Sequence, residues 1–287
     1  MQRAVDMEGR VCMVTGANSG IGRATATGLA QLGATVVMVC RDPSKGEAAL
    51  AEIKAKSGNE SVALMLADLS SQKSIRQLVK DFTDKYRHLH VLVNNAAVFL
   101  TKRSVTVDGI ETTFAVNHLA YFFLTNLLLD VLKSSVPARI VSVSSIAHYR
   151  GHINFDDLQG EKNYSGFRAY NQSKLANILF TYELARRLKG TGVTANCLHP
   201  GAVATNLVRS NSGIFGLIWK LLTPFMLSPE KGAQACIYLA SSPEVEGISG
   251  KYFVKQTEAK SSMESYDESI ARRLWQISAE LAGLDPT

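Results

Sequence analysis

At 287 residues, 46% hydrophobic and 20% charged, the chain can bury about three quarters of the surface it exposes when unfolded, which excludes a disordered polymer. The net charge is +6, but Lys and Arg are interleaved with Asp and Glu, so no nucleic-acid partner is indicated; an anionic cofactor or a membrane surface accounts for the excess. Cys12, Cys40, Cys197 and Cys236 lack metal or redox spacing and read as small core residues, while the polar opening decapeptide and the absence of long apolar runs read as neither signal peptide nor anchor, so a cytoplasmic enzyme is the simple expectation.

The first predicted strand is Val11 to Thr15, and a helix near 20–32 begins inside the turn Gly16-Ala17-Asn18-Ser19-Gly20-Ile21-Gly22 that follows it. Glycines let such a turn tighten and let its backbone approach a pyrophosphate, which the free N–H groups of the helix N-terminus attract. An ordinary Gly-rich turn is the plain alternative. The second strand, Thr35 to Cys40, ends at Arg41. A carboxylate at that point would hold the ribose 2'-hydroxyl of NAD and repel a 2'-phosphate; Arg23 and Arg41 could instead form a cationic pocket for the phosphate. NADP (NADPH) is therefore preferred over NAD, against the alternative of two solvated arginines, with Asp42 as the complicating neighbour.

Next come a helix near 44–56, a strand Val62 to Leu66, a helix near 72–86, a strand Val91 to Asn94, one helix over 110–133 and a strand Ile140 to Ser144. A helix near 168–189, a strand Val193 to Leu198, a seventh strand near Lys251 to Val254 and a last helix near Asp267 to Leu281 complete the order. The rhythm predicts an α/β fold: a single doubly wound Rossmann domain over 1–287, its seven-stranded, mostly parallel sheet covered by helices on both faces.

Tyr170 and Lys174 share one face of the 168–189 helix. A tyrosine that gives and takes a proton near neutral pH needs its pKa lowered from about 10, which an adjacent ammonium and an oxidised nicotinamide would do. A plain helix-surface pair is the alternative. The run Ile140 to Ser145 ends where ligands bind sheets of this type, so either Ser144 or Ser145 could hydrogen-bond a substrate oxygen.

Together with Asn94-Asn95-Ala96-Ala97, Asn117 and Tyr170-Asn171-Gln172-Ser173-Lys174, these motifs closely resemble the short-chain dehydrogenase/reductase family over nearly the whole chain. The resemblance implies Tyr170 as general acid or base, Lys174 as the group that lowers its pKa and holds the nicotinamide ribose, Ser145 as the serine that orients the substrate oxygen, and Asn117 as support for a proton relay. It further implies Gly16, Asn18, Ser19, Gly20, Ile21 and Gly22 around the pyrophosphate and ribose, Asp68 and Leu69 at the adenine, Asn95 and Ala96 at the adenosine ribose, and Pro200, Gly201 and Thr205 at the nicotinamide. The spacing from Ser145 to Tyr170 is longer than is common in the family.

Asn154 to Leu158, Ser173 to Asn177 and Ala271 to Trp275 are similar to the retinol dehydrogenase branch, which implies a preference for NADP and an apolar aldehyde or alcohol as substrate. A steroid, quinone or xenobiotic ketone is the alternative within enzymes, and a non-catalytic NADP-binding sensor the alternative outside them. The apolar run 213–227, inside a substrate lid expected near 203–228, suits a lipophilic tunnel or a peripheral membrane contact, or else a core helix. His118, His148 and His152 stay open as substrate contacts, no metal-ligand spacing appears, and a homodimer through the helices holding Asn117 and Tyr170 is the family expectation.

Overall fold

A computed structural model describes residues 6–201, 203 and 227–285. The central strand β1 (Val11–Thr15) has β2 (Thr35–Cys40) and β3 (Val62–Leu66) on one side. On the other side stand β4 (Val91–Asn94), β5 (Ala138–Val143), β6 (Val193–His199), β7 (Tyr252–Val254) and β8 (Thr257–Glu258), giving the order β3-β2-β1-β4-β5-β6-β7-β8. Every neighbouring pair is parallel except β7 and β8. The eighth strand was not expected: it is two exposed residues joined to β7 through Lys255 in the left-handed region, φ 60°, and so short a strand carries no hydrophobic alternation.

Both faces of the sheet are buried, which is why its strands read as almost unbroken apolar runs. In β2, Val36 and Met38 join one core with α1 (Gly20–Gln31), α2 (Pro43–Ser57) and α8 (Pro229–Ser241). Val37 and Val39 join the other core, which also takes side chains from α3 (Gln72–Lys85), α5 (Ala120–Leu127), α7 (Gly166–Arg187) and α9 (Glu268–Ala282). Chain order reverses between β2 and β4 on either side of β1, so the crevice that receives ligands in such sheets opens at the C-terminal ends of β1 and β4.

The helix expected over 110–133 is interrupted. A short α4 (Thr112–Phe114) passes into a π-helical turn (Ala115–Leu119) before α5, and α6 (Leu129–Lys133) restarts after Leu128. Such π turns often mark functional positions, and Asn117 sits in this one.

Along α7 every residue from 172 to 184 is buried, and α9 lies across it: Trp275 stacks on Phe180 at 5.9 Å and meets Phe122 of α5 edge-on at 4.8 Å. The C-terminal helix thus covers this part of α7 within the chain itself.

Candidate active site

The glycine turn begins where Gly16 N and Ala17 N donate to Val39 O at 2.8 and 3.3 Å. Gly16 and Gly20 have φ of 67° and 54°, which favour glycine. Gly22 is required for a different reason: a Cβ there would overlap Gly16 O and Asn95 Nδ2, and one on Gly16 would lie 2.9 Å from Ala96 Cα. Ser19 caps α1 with extended backbone, but its side chain makes no capping bond and no acidic residue stands in the first turn. The turn is thus a cradle of close-packed backbone facing an uncapped helix N-terminus, which fits the diphosphate of a dinucleotide. Asn18 and Ile21 lie in this turn and helix start, both partly exposed.

Thr15, which the sequence reading passed over, holds this cradle. Its Oγ1 accepts from Asn95 N at 2.8 Å and Ala96 N at 3.1 Å and donates to Val93 O at 3.3 Å, while Asn95 Nδ2 donates to Thr15 O at 2.8 Å. Asn95 therefore spends its amide N–H on the turn that faces it. Asp68 is likewise engaged, its Oδ1 accepting from Ser70 N and Ser70 Oγ at 2.9 and 2.7 Å, and Leu69 packs partly against the core.

At the end of β2, Arg41 is exposed, and Arg23 pairs with Glu52 Oε2 at 2.5 Å. Asp42 is engaged locally: one oxygen caps α2 by accepting from Lys45 N at 3.0 Å and the other pairs with Lys45 Nζ at 3.2 Å. Those bonds, the backbone one first, hold its carboxyl below the ordinary range.

The second cluster lies between β5 and α7. Ser144 Oγ is buried and donates to Lys174 O at 2.7 Å, so it braces the helix. Ser145 Oγ accepts from Ala147 N at 3.2 Å, and Ser145 is the serine near enough to the Tyr170 phenol to favour its ionised form. Lys174 is 2% exposed; its Nζ donates to Val143 O at 3.1 Å and stands 5.6 Å from the centre of the Tyr170 ring. Asn117 is fully buried, with Oδ1 accepting from Val98 N at 2.7 Å and Nδ2 donating to Val98 O at 2.9 Å and Ser173 Oγ at 3.0 Å. Ser173 Oγ in turn donates to Tyr170 O at 2.8 Å, tying the π turn to the tyrosine's own backbone.

The expected lowering of the tyrosine pKa is corrected for the protein alone. Burial pushes Tyr170 up to about 12, opposed by the Ser145 hydrogen bond, and desolvation pulls Lys174 down to about 7. Both groups are driven toward neutrality by burial, with no fixed counter-charge acting on them among the described residues. At neutral pH the cluster presents a protonated phenol beside a half-protonated amine, which is the form needed to give a proton to a carbonyl oxygen.

Each of the three open histidines has a partner within the chain. His118 is buried against Ser278 Oγ at 3.0 Å, His152 pairs with Glu264 Oε2 at 2.9 Å, and His148 Nδ1 lies 2.6 Å from Ser145 O. His199 accepts from Ile146 N at 3.2 Å, with Pro200 and Gly201 following; Gly201 has φ 91° and a Cβ there would crowd Leu227 Cδ1. Thr205 and the apolar run 213–227, with nearly all of the expected lid, lie outside the described residues.

Two clusters of this kind, a nucleotide cradle at β1 and a Ser-Tyr-Lys set at β5 and α7, occupy one crevice, and residues 10–213 match the short chain dehydrogenase family. The chain belongs to that family. Retinol dehydrogenase 11 of Mus musculus is 50% identical over 280 residues, covering 98% of this chain and 88% of that protein, and places the chain in the retinol dehydrogenase branch. Among solved structures, an uncharacterised protein from Mycobacterium Paratuberculosis superimposes with a TM-score of 0.81 at 34% identity, over 99% of this chain and 97% of its own. The Pseudomonas aeruginosa RhlG/NADP active-site complex gives 0.71 at 26%, over 88% and 97%. The chain is thus an oxidoreductase with a nicotinamide-nucleotide site. Among the described residues no helix is long and apolar enough to cross a membrane.

Proposed function

We propose that the chain is an NADP-dependent dehydrogenase/reductase of lipophilic alcohols and carbonyl compounds, with retinal or another apolar aldehyde as substrate. The observation that carries this reading is the grouping of Tyr170 with Ser145 and with the buried Lys174, whose Nζ stands 5.6 Å from the centre of the tyrosine ring.

Bound NADPH supplies the hydride that the protein itself lacks. Gly16, Asn18, Ser19, Gly20, Ile21 and Gly22 would hold its diphosphate, Asp68, Leu69, Asn95 and Ala96 its adenosine, and Tyr170, Lys174, Pro200 and Gly201 its nicotinamide half. Arg41 would bind the 2'-phosphate with Arg23 beside it. Asp42 supports that choice over NAD, because its carboxylate is already committed to Lys45.

Ser145 Oγ accepts from Ala147 N, which leaves its own proton to point at a substrate oxygen. Tyr170 gives the phenolic proton to the same oxygen as the carbonyl carbon is reduced. Lys174 donates to Val143 O and retains further N–H groups that can refill the tyrosine, and Asn117 locks the π turn that backs both. In the oxidative direction Tyr170 must first lose its proton, and burial in the protein alone opposes that loss.

The preference for an apolar substrate is supported by the retinol dehydrogenase relatives and by the composition of 213–227. Loss of NADPH absorbance at 340 nm, followed with retinal, medium-chain aldehydes, steroids and quinones and with NADH in parallel, tests the reading. Turnover of an apolar aldehyde with NADPH is expected; turnover confined to NADH, or none with any carbonyl, contradicts it.

A further inference from the structure

The residues between Ser145 and Tyr170 are stitched to the segment 260–264 near the C-terminus. Tyr149 Oη donates to Lys260 O at 2.5 Å, Ile153 N donates to Glu264 Oε1 at 2.9 Å, and Ser262 N donates to His148 Nε2 at 3.1 Å. His148 is fully buried between the rings of Tyr149, 4.0 Å away, and Tyr252, 5.0 Å away. Because Nε2 accepts from a backbone N–H, its lone pair is used there and the ring proton belongs on Nδ1. That nitrogen faces Ser145 O at 2.6 Å, and the same carbonyl receives His148 N at 3.1 Å.

We infer that His148 is a positioning residue for Ser145, transmitting the placement of the 260–264 segment to the serine peptide through its Nδ1–H. The inference rests on Ser145 facing the substrate, as proposed above. Ser145 has extended backbone, φ −160° and ψ 159°, two residues beyond the end of β5, and rotation of its peptide would re-aim Oγ relative to Tyr170. The histidine ring fixes that peptide from a fully buried position against Tyr149 and Tyr252. His199, accepting from Ile146 N at 3.2 Å, holds the N–H of that same peptide.

Two measurements on the whole chain test this. Nitrogen NMR at pH 7 is expected to find His148 neutral with its proton on Nδ1; a proton on Nε2 overturns the inference whatever the substrate proves to be. In retinal reduction with NADPH, His148→Leu is expected to lower kcat about ten-fold with KM for NADPH unchanged, and to add nothing in a Ser145→Ala background. His148→Asn, which restores a donor toward Ser145 O, recovers most of the loss. Ser262→Pro serves should the buried leucine prevent folding: residue 262 has φ −63°, which suits proline, and the change removes the N–H that holds the ring. It is expected to lower kcat in the same pattern. Unchanged kcat in these variants, or losses that add fully to that of Ser145→Ala, overturns the inference. Absence of turnover in the unmodified protein would fall on the proposed function, and the tautomer would still decide this one.

Discussion

The two halves of the crevice are built on opposite physical terms. Around β1 the site is made of backbone: glycines at positive φ, an uncapped helix end, and Thr15 and Asn95 spending their polar atoms on each other's peptides. Around β5 and α7 it is made of buried side chains whose charge states burial controls, with Tyr170 pushed up to about 12 and Lys174 down to about 7. Shape serves the half that must hold a large ligand, and proton affinity serves the half that must do chemistry. Changes in the first half are therefore expected to act on binding, and changes in the second on turnover.

The largest effect that would break this division is expected at Gly22. Alanine there drives a methyl into Gly16 O and Asn95 Nδ2, so NADPH affinity measured by fluorescence titration should fall on the order of 100-fold. Retained affinity would show that the cradle tolerates expansion and is not the binding element.

Lys174→Met sharpens the other half. It should reduce kcat on the order of 100-fold while NADPH still binds. It also has a pH signature. The lysine titrates near 7 when folded and near 10.4 when unfolded, so between those values the unfolded chain binds more protons and the stability of the unmodified protein rises with pH. Below pH 7 the full cost of burying the amine is present. The Tm of Lys174→Met relative to the unmodified protein should accordingly be most favourable at pH 7 and lose ground steadily toward pH 10; a difference independent of pH would contradict the assigned shift.

A smaller effect separates the two arginines. Arg41→Ala should raise KM for NADPH about ten-fold and leave NADH unaffected, since a guanidinium–phosphate contact distinguishes the two cofactors. Arg23→Ala should cost less, because its guanidinium is already paired with Glu52. The smallest expected change is Ser144→Ala, which removes one buried hydrogen bond to Lys174 O and should lower stability by about 1–2 kcal/mol in urea titration with little effect on NADPH binding.

The strands β1 to β4 matched their expected bounds because each is an apolar run with glycine or polar residues within two positions of its end. The break in the 110–133 helix was not legible, since residues 113 to 125 are buried throughout and an added π turn shifts one apolar register onto another. The choice between the two serines shows why part of the site was legible and part was not. Along β5 Ala138 and Ile140 face the α7 side while Val141 and Val143 face the other, so strand alternation alone would send Ser144 toward the tyrosine helix. It does go there, and bonds the helix backbone. Ser145 reaches Tyr170 because the strand has ended and the chain turns, a change of path that alternation does not encode. Tyr170 and Lys174 were legible from spacing, whereas the direction of their pKa shifts depends on burial that spacing does not give. Thr15 and His148 act through backbone groups distant in sequence and left no motif to find.

The central claim is that the Tyr170 hydroxyl carries the proton of the reaction and is a minor part of what holds the cofactor, and Tyr170→Phe tests it with two readings on one sample. NADPH affinity is expected to stay within about three-fold while retinal reduction at 340 nm falls by at least about 1,000-fold, since the ring remains and only the acid is lost. Turnover that persists near the unmodified level would contradict the account.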